Sequence, residues 1–179
     1  MRKLYTLAII VLFLAGYMFS AARMERRLAA GRDVLLALAP VDPRALLMGD
    51  YMTLEYTANR AIISALRKGA GHREPASSGR AVMRLEPVGH EGAAAPEARF
   101  ARIGDGTSLA AGEVALAFSV RSGRVLTAAE AFYFPEGSGG AYEAQAKYGL
   151  VRVGEDGQTL LMGLCDAHGR RISPERKAP

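Results

Sequence analysis

Arg44 lies between two aspartates, in the run Pro40-Val41-Asp42-Pro43-Arg44 followed by Gly49-Asp50-Tyr51-Met52-Thr53-Leu54-Glu55-Tyr56. A guanidinium beside carboxylates can bridge them bidentately. Together with Glu136, from the later run Phe132-Tyr133-Phe134-Pro135-Glu136-Gly137, these residues could form one charged site or partner surface. Turn chemistry explains the same residue types without a ligand, and it is the preferred reading. Asp42 and Asp50 would set turns through side-chain-to-backbone hydrogen bonds, and Arg44 would staple the loop. Tyr51 and Tyr56 could be a recognition pair, but tyrosine also suits half-buried strand positions with one wet edge, which is the reading taken here.

Other chemistry is thinner. His72, His90 and His168 fall in loop-like sequence with no second ligand at metal spacing. Ser64 and Lys68 stand four apart on a helical pattern, a spacing a Ser-Lys dyad could use, although exposed pairs of this kind are commonly solvated. No glycine-rich phosphate loop joins a strand to a helix. The single cysteine, Cys165, cannot form an internal bridge, and lone cysteines mostly behave as small hydrophobes. No metal, cofactor, catalytic residue or small-molecule substrate is expected.

The net charge of +5 is concentrated at one end. Residues 1–27 hold five basic residues (Arg2, Lys3, Arg23, Arg26, Arg27) and one acid, Glu25, which leaves 18 basic against 17 acidic residues in 28–179. A nucleic-acid surface needs a basic stripe interleaved with aromatics, and none is present. Arginine outnumbers lysine 19 to 4, which is a compositional habit and no sign of phosphate recognition.

Leu4 to Ala22 is 19 residues without a charge. A helix of that length covers about 28 Å, close to the hydrocarbon thickness of a bilayer. Tyr5 and Tyr17 lie near its ends, where amphipathic rings favour the interface. Arg2-Lys3 and Ser20-Ala21-Ala22 could also be the flanks of a cleaved signal peptide, but the apolar run exceeds the usual length of about 7–15 residues. Helical sequence also continues through Met24–Ala30 to Gly31, so an uncleaved anchor with a helical stem is expected over 1–30. Two basic residues precede the span and three follow it, so charge barely sets its orientation.

A single β-rich domain is expected over 31–179. Asp33–Ala39 is apolar enough for a buried strand, and Pro40 and Asp42-Pro43 then break it. Tyr51–Tyr56 alternates, with Met52, Leu54 and Tyr56 on one face and Tyr51, Thr53 and Glu55 on the other. Asn59–Lys68 has Ile62, Ile63 and Leu66 at helical spacing, with Asn59 as a cap. Further strands are predicted at Arg80–Leu85, Arg99–Ile103, Glu113–Val120, Arg124–Phe134, Gly149–Val153 and Thr159–Leu164, and a helical turn at Ala141–Lys147. Gly69–Ser78 and Gly89–Pro96 read as loops. About eight strands against two short helices argue a mainly β, α+β fold.

An internal echo runs through this pattern. Gly31-Arg32-Asp33-Val34 with Leu38-Ala39-Pro40-Val41 is matched by Gly79-Arg80-Ala81-Val82 with Leu85-Glu86-Pro87-Val88. Gly49-Asp50 and Leu54-Glu55-Tyr56 are matched by Gly112-Glu113 and Leu116-Ala117-Phe118. Either this is chance in an Ala/Gly/Arg-rich chain, or the domain holds two related β-units packed face to face.

Gly49-Asp50-Tyr51, Leu54 and Tyr56 resemble the motif that names the GDYXXLXY protein family. The apolar N-terminus, the Glu-Arg stem, Val41-Asp42-Pro43-Arg44, Phe132–Gly137, Tyr142-Glu143, Val151-Arg152-Val153 and Asp156-Gly157 are similar to that family as well. The resemblance implies a bacterial protein anchored in the inner membrane by one span, with its domain outside the cytoplasm, often encoded beside a polytopic membrane protein. It implies no known activity. The expected role is therefore that of a non-enzymatic accessory module whose partners are the membrane and a polytopic protein.

An N-terminal anchor before a β-rich domain is also the plan of a sortase-type transpeptidase, which needs a strand-end cysteine, a histidine and an arginine in one cleft. Cys165, His90 and Arg170 or Arg171 are the candidates, but Leu164 stands where a threonine is expected. A ligand-binding β-domain of the envelope is a further alternative, which only a pocket could promote.

Overall fold

The computed structural model describes residues 9–20, 22, 31–39, 51–70, 76–89 and 92–173. The chain divides into two units, 1–31 and 32–179. In the first, residues 9–20 form a helix, α1, whose apolar side chains from Ile9 to Phe19 are all exposed. Among the described residues no helix is long and apolar enough to cross a membrane. The predicted stem, 23–30, lies outside the described residues.

The second unit is mainly β. Nine strands are described: β1 Arg32–Ala37, β2 Tyr51–Thr53, β3 Ser78–Glu86, β4 Glu97–Ile103, β5 Glu113–Arg121, β6 Arg124–Leu126, β7 Ala131–Tyr133, β8 Tyr148–Val153 and β9 Thr159–Cys165. The helices are α2, Thr57–Ala70, and α3, Gly139–Gln145. Seven strands form one sheet in the order β6-β5-β3-β4-β1-β8-β9, and β2 pairs with β7 in a separate ribbon. Only β1 and β4 run parallel in the large sheet. Ser122 and Gly123 both take positive φ, the geometry of a tight hairpin turn that matches strand twist, and they fold β6 back on β5.

β1 is central, and Val34, Leu35 and Leu36 have no exposed surface. Val34 and Leu36 face the main core with Ala81, Met83, Leu116, Val151 and Leu164. Ala58, Ile62 and Leu66 of α2 enter the same core at helical spacing. Leu35 faces the other way, into a small cluster with Leu150 and Cys165.

The two ends of the sheet meet. The Ala117 N–H of β5 donates to Gly157 O (2.8 Å), in the turn between β8 and β9. Thr159 Oγ1 at the start of β9 donates to Thr127 O (2.6 Å), just after β6. Closing a sheet on itself in this way removes exposed edges. Gly157 takes φ +79°, and a Cβ there would lie 3.0 Å from Ala117 N, so the junction fits only glycine.

Several expectations are corrected. The predicted strand Arg124–Phe134 is two strands in two sheets, because the chain turns at Thr127–Glu130 and Leu54 N–H bonds Glu130 O, which carries β7 over to β2. Asn59 does not cap α2. The helix begins at Thr57, and Asn59 Oδ1 instead accepts the Thr127 hydroxyl (2.7 Å). The two echo strands, β1 and β3, lie in one sheet on either side of β4, so they do not form two units packed face to face.

Candidate functional site

The motif strand is positioned by the ribbon. Tyr51, Met52 and Thr53 pair in register with Tyr133, Phe132 and Ala131. Strand alternation sends Met52, Leu54 and Tyr56 inward, and each is at most 3% exposed. Past the ribbon, the Ala39 N–H donates to Glu55 O and Leu38 bridges to Tyr56, which ties the motif to the end of β1. Tyr56 is fully buried, and its hydroxyl donates to Ala129 O (3.0 Å), 73 residues on. Burial drives its phenol pKa far upward, so it stays neutral. Tyr56 is therefore a staple of the fold and is unavailable to a partner.

The outward side differs. The rings of Tyr51 and Tyr133 lie 5.4 Å apart, and Tyr133 is 74% exposed. Its neighbours turn inward: Phe132 meets Tyr142 of α3 edge-on at 5.2 Å, and Phe134 stacks on Tyr142 at 5.6 Å. The alternation in Phe132-Tyr133-Phe134 thus anchors the strand and presents one ring to solvent.

Beside that ring, where the sheet ends meet, lies a cleft of about 680 Å³. Residues 117–119 of β5, 126–129, 131–133 of β7 and 158–161 around the start of β9 line it. Among the described residues, its polar side chains are hydroxyls and one amide, and no Asp, Glu, Lys, Arg or His lines it.

Of the residues singled out in sequence, Asp42, Pro43, Arg44, Gly49 and Asp50 lie outside the described residues. Tyr51, Leu54 and Tyr56 sit on the ribbon and its continuation, whereas Glu136 is exposed in the turn between β7 and α3. Of the two tyrosines expected at half-buried strand positions, Tyr51 is half-buried and Tyr56 is fully buried, and the ring beside Tyr51 is that of Tyr133. Sequence reasoning missed Tyr133, and the alternating apolar pattern of 132–134 was the signal that could have found it.

Cys165 is buried, and its thiol is pushed up to about 11, chiefly by burial and further by Asp166, with Arg171 pulling the other way. Arg171 spends its guanidinium on Met162 O (2.8 Å), and Arg170 pairs loosely with Asp166 (3.6 Å). His90 and His72 lie outside the described residues, and His168 is exposed on the turn that follows. Ser64 and Lys68 are both exposed on α2. Among the described residues, no group of three or more His, Cys, Asp or Glu could hold a metal ion.

Arg80 of β3 and Arg99 and Arg102 of β4 have partners on an exposed face. Arg102 meets Glu113 (2.6 Å), Arg99 meets Glu97 (3.1 Å) and Glu86 (3.3 Å), and Arg80 donates to Asp105 O (3.0 Å). This surface carries both signs of charge.

A family model described as GDYXXLXY protein matches residues 12–164. No curated protein and no solved structure matches the chain.

Proposed function

The chain belongs to the GDYXXLXY protein family, and from that premise we propose a single-pass protein of the bacterial inner membrane whose β-rich domain lies outside the cytoplasm and docks on a polytopic membrane protein. It is an accessory module and not an enzyme. One observation carries this reading: Ile9–Leu14, Tyr17, Met18 and Phe19 of α1 are 51–75% exposed, apolar on every side. A helix hydrophobic all round requires burial in lipid or against other helices. The uncharged run of 19 residues that contains it has the length for a span.

Candidates for covalent chemistry lend the enzymatic rival little support. A thiol held near 11 and fully covered supplies almost no thiolate at neutral pH. The ribbon is built as a docking face would be, with its apolar positions locked inward and tyrosines outward.

The test is purification of the full chain from its native membrane in mild detergent, with crosslinking, and with a compartment-specific reporter on the C-terminus. The expected result is a stoichiometric polytopic partner and an extracytoplasmic reporter. Recovery of a lone monomer in several detergents, or a reporter inside the cytoplasm, would overturn the proposal.

A further inference from the structure

The cleft where the sheet ends meet is bordered by strand edges. Closure is made at two points, from Ala117 N–H to Gly157 O and from Thr159 Oγ1 to Thr127 O, and beside them the edges part. β9 is the last strand of its sheet. Its outer edge is covered at one end, where Ile172 N–H donates to Leu164 O, Arg171 donates to Met162 O and Cys165 bridges to Arg171. Among the described residues that cover stops at Met162, and residues 159–161 line the cleft.

β7 brings a second edge. An antiparallel pair alternates between rungs whose residues bond each other and rungs whose N–H and C=O point away. Leu54 N–H donates to Glu130 O, so the bonded rungs are Leu54–Glu130 and Met52–Phe132. Ala131 and Tyr133 therefore aim their N–H and C=O away from β2. The same parity turns Glu55 O to the far side of the ribbon, where Ala39 N–H donates to it. Among the described residues no group bonds the outward N–H and C=O of Ala131 and Tyr133, and both residues line the cleft.

We infer that this cleft is a slot for an extended peptide strand, a short segment of the polytopic partner that adds to the free edge of β7 with β9 as the opposite wall. The inference rests on the docking reading and specifies its contact. A strand edge offers donors and acceptors in alternation, and another strand returns both at the same spacing. A helix has its main-chain groups bonded internally and an acyl chain has none, so either would leave the edge unpaired. Alternate side chains of the added strand fall on the Tyr133 face, where the ring is 74% exposed, and on the Phe132 face. Leu126, Leu160 and Leu161 add apolar surface to the walls. Pro135 ends the edge just beyond Tyr133, which keeps the added strand short.

The experiment places p-benzoylphenylalanine at position 133 of the full chain in its native membrane, irradiates, and maps the adduct by mass spectrometry. An adduct confined to one extracytoplasmic segment of the polytopic protein is expected. Ala131→Pro removes an N–H that points away from β2, a change an edge strand tolerates, and should cut the adduct roughly three- to tenfold. Circular dichroism checks that this variant folds. A synthetic peptide of the mapped segment, N-methylated at one residue at a time, gives a readout that needs no variant of the protein. Its binding to the full chain in lipid nanodiscs should weaken at alternate positions, because only every second N–H of an added strand faces β7. An adduct on a second copy of this chain, an adduct unchanged by Ala131→Pro in the folded state, or N-methylation without alternation would overturn the inference. If the polytopic protein co-purifies but carries no adduct from position 133, the inference falls and the docking reading stands. If no polytopic protein is recovered, both fall.

Discussion

The ring of Tyr56 lies against the bare backbone of Gly149, so closely that a Cβ on that glycine would stand 3.0 Å from Cε1 and 3.4 Å from the hydroxyl oxygen. The last tyrosine of the motif and a glycine of β8, 93 positions later, are thus shaped to each other. Burial of the ring, its bond to Ala129 O and the missing side chain opposite are one packing arrangement.

Gly149→Ala is therefore expected to destabilise the domain by about 1–3 kcal/mol through overpacking. Tyr56→Phe, which keeps the ring and removes one hydrogen bond, should cost about 1 kcal/mol. Tyr56→Leu should make Gly149→Ala less costly, because residues in contact are non-additive. Urea unfolding of the three variants and the double mutant measures this. Strict additivity would mean that the two residues do not press on each other.

Much of the fold was legible because its strands have short periods and clear ends. The inward set Met52, Leu54 and Tyr56 followed from alternation alone, and proline and glycine marked most strand limits. The split at Thr127–Glu130 was not legible. Thr-Ala-Ala-Glu has no strong turn residue, and tertiary bonds to Asn59, Thr159, Tyr56 and Leu54 hold the bend there. The cleft was invisible for a similar reason. Ser78 and Ser119 face each other on the paired strands β3 and β5, but Thr159 of β9 joins them only because the sheet closes on itself, and closure leaves no local sequence mark.

Asp33 of β1 and Arg152 of β8 stand opposite each other and form a forked pair at 2.6 and 2.8 Å. The hydrogen bond from Arg152 holds the Asp33 carboxyl below its ordinary value of 3.8, against a smaller opposing effect of burial. A carboxyl lowered on folding contributes stability above its unfolded pKa, and that contribution is lost as pH falls through the folded value. Asp33→Asn should therefore lower Tm at neutral pH, with the two melting curves converging as pH drops below 3.8. Thermal melts across acid pH check this, and a Tm difference that persists in strong acid would show that the charge is not the cause.

Cys165 should resist alkylation in the folded protein. Its side chain has no exposed surface, and its thiol is pushed up to about 11. Iodoacetamide labelling followed by mass spectrometry should be slow at neutral pH and rise steeply in denaturant, tracking unfolding. Rapid labelling of the native chain, with a midpoint well below that of a free thiol, would instead support the transpeptidase rival.

The junction between Ala117 and Gly157 makes a sharper demand. Gly157 is at φ +79°, and a Cβ there would lie 3.0 Å from Ala117 N and 3.1 Å from Ala115 O, both of them backbone atoms that cannot swing aside. Gly157→Ala combines the left-handed penalty, about 1–2 kcal/mol, with a clash at the contact that closes the sheet. The cheapest relief is for the turn between β8 and β9 to lift away from β5, which breaks the bond from Ala117 N–H. Hydrogen exchange at the Ala117 amide should therefore accelerate more than at Ala81 or Val151, which lie in the interior of the sheet. If Ala117 exchange accelerates no more than that of the interior strands, the closure is not a separate hinge and the sheet opens only by global unfolding.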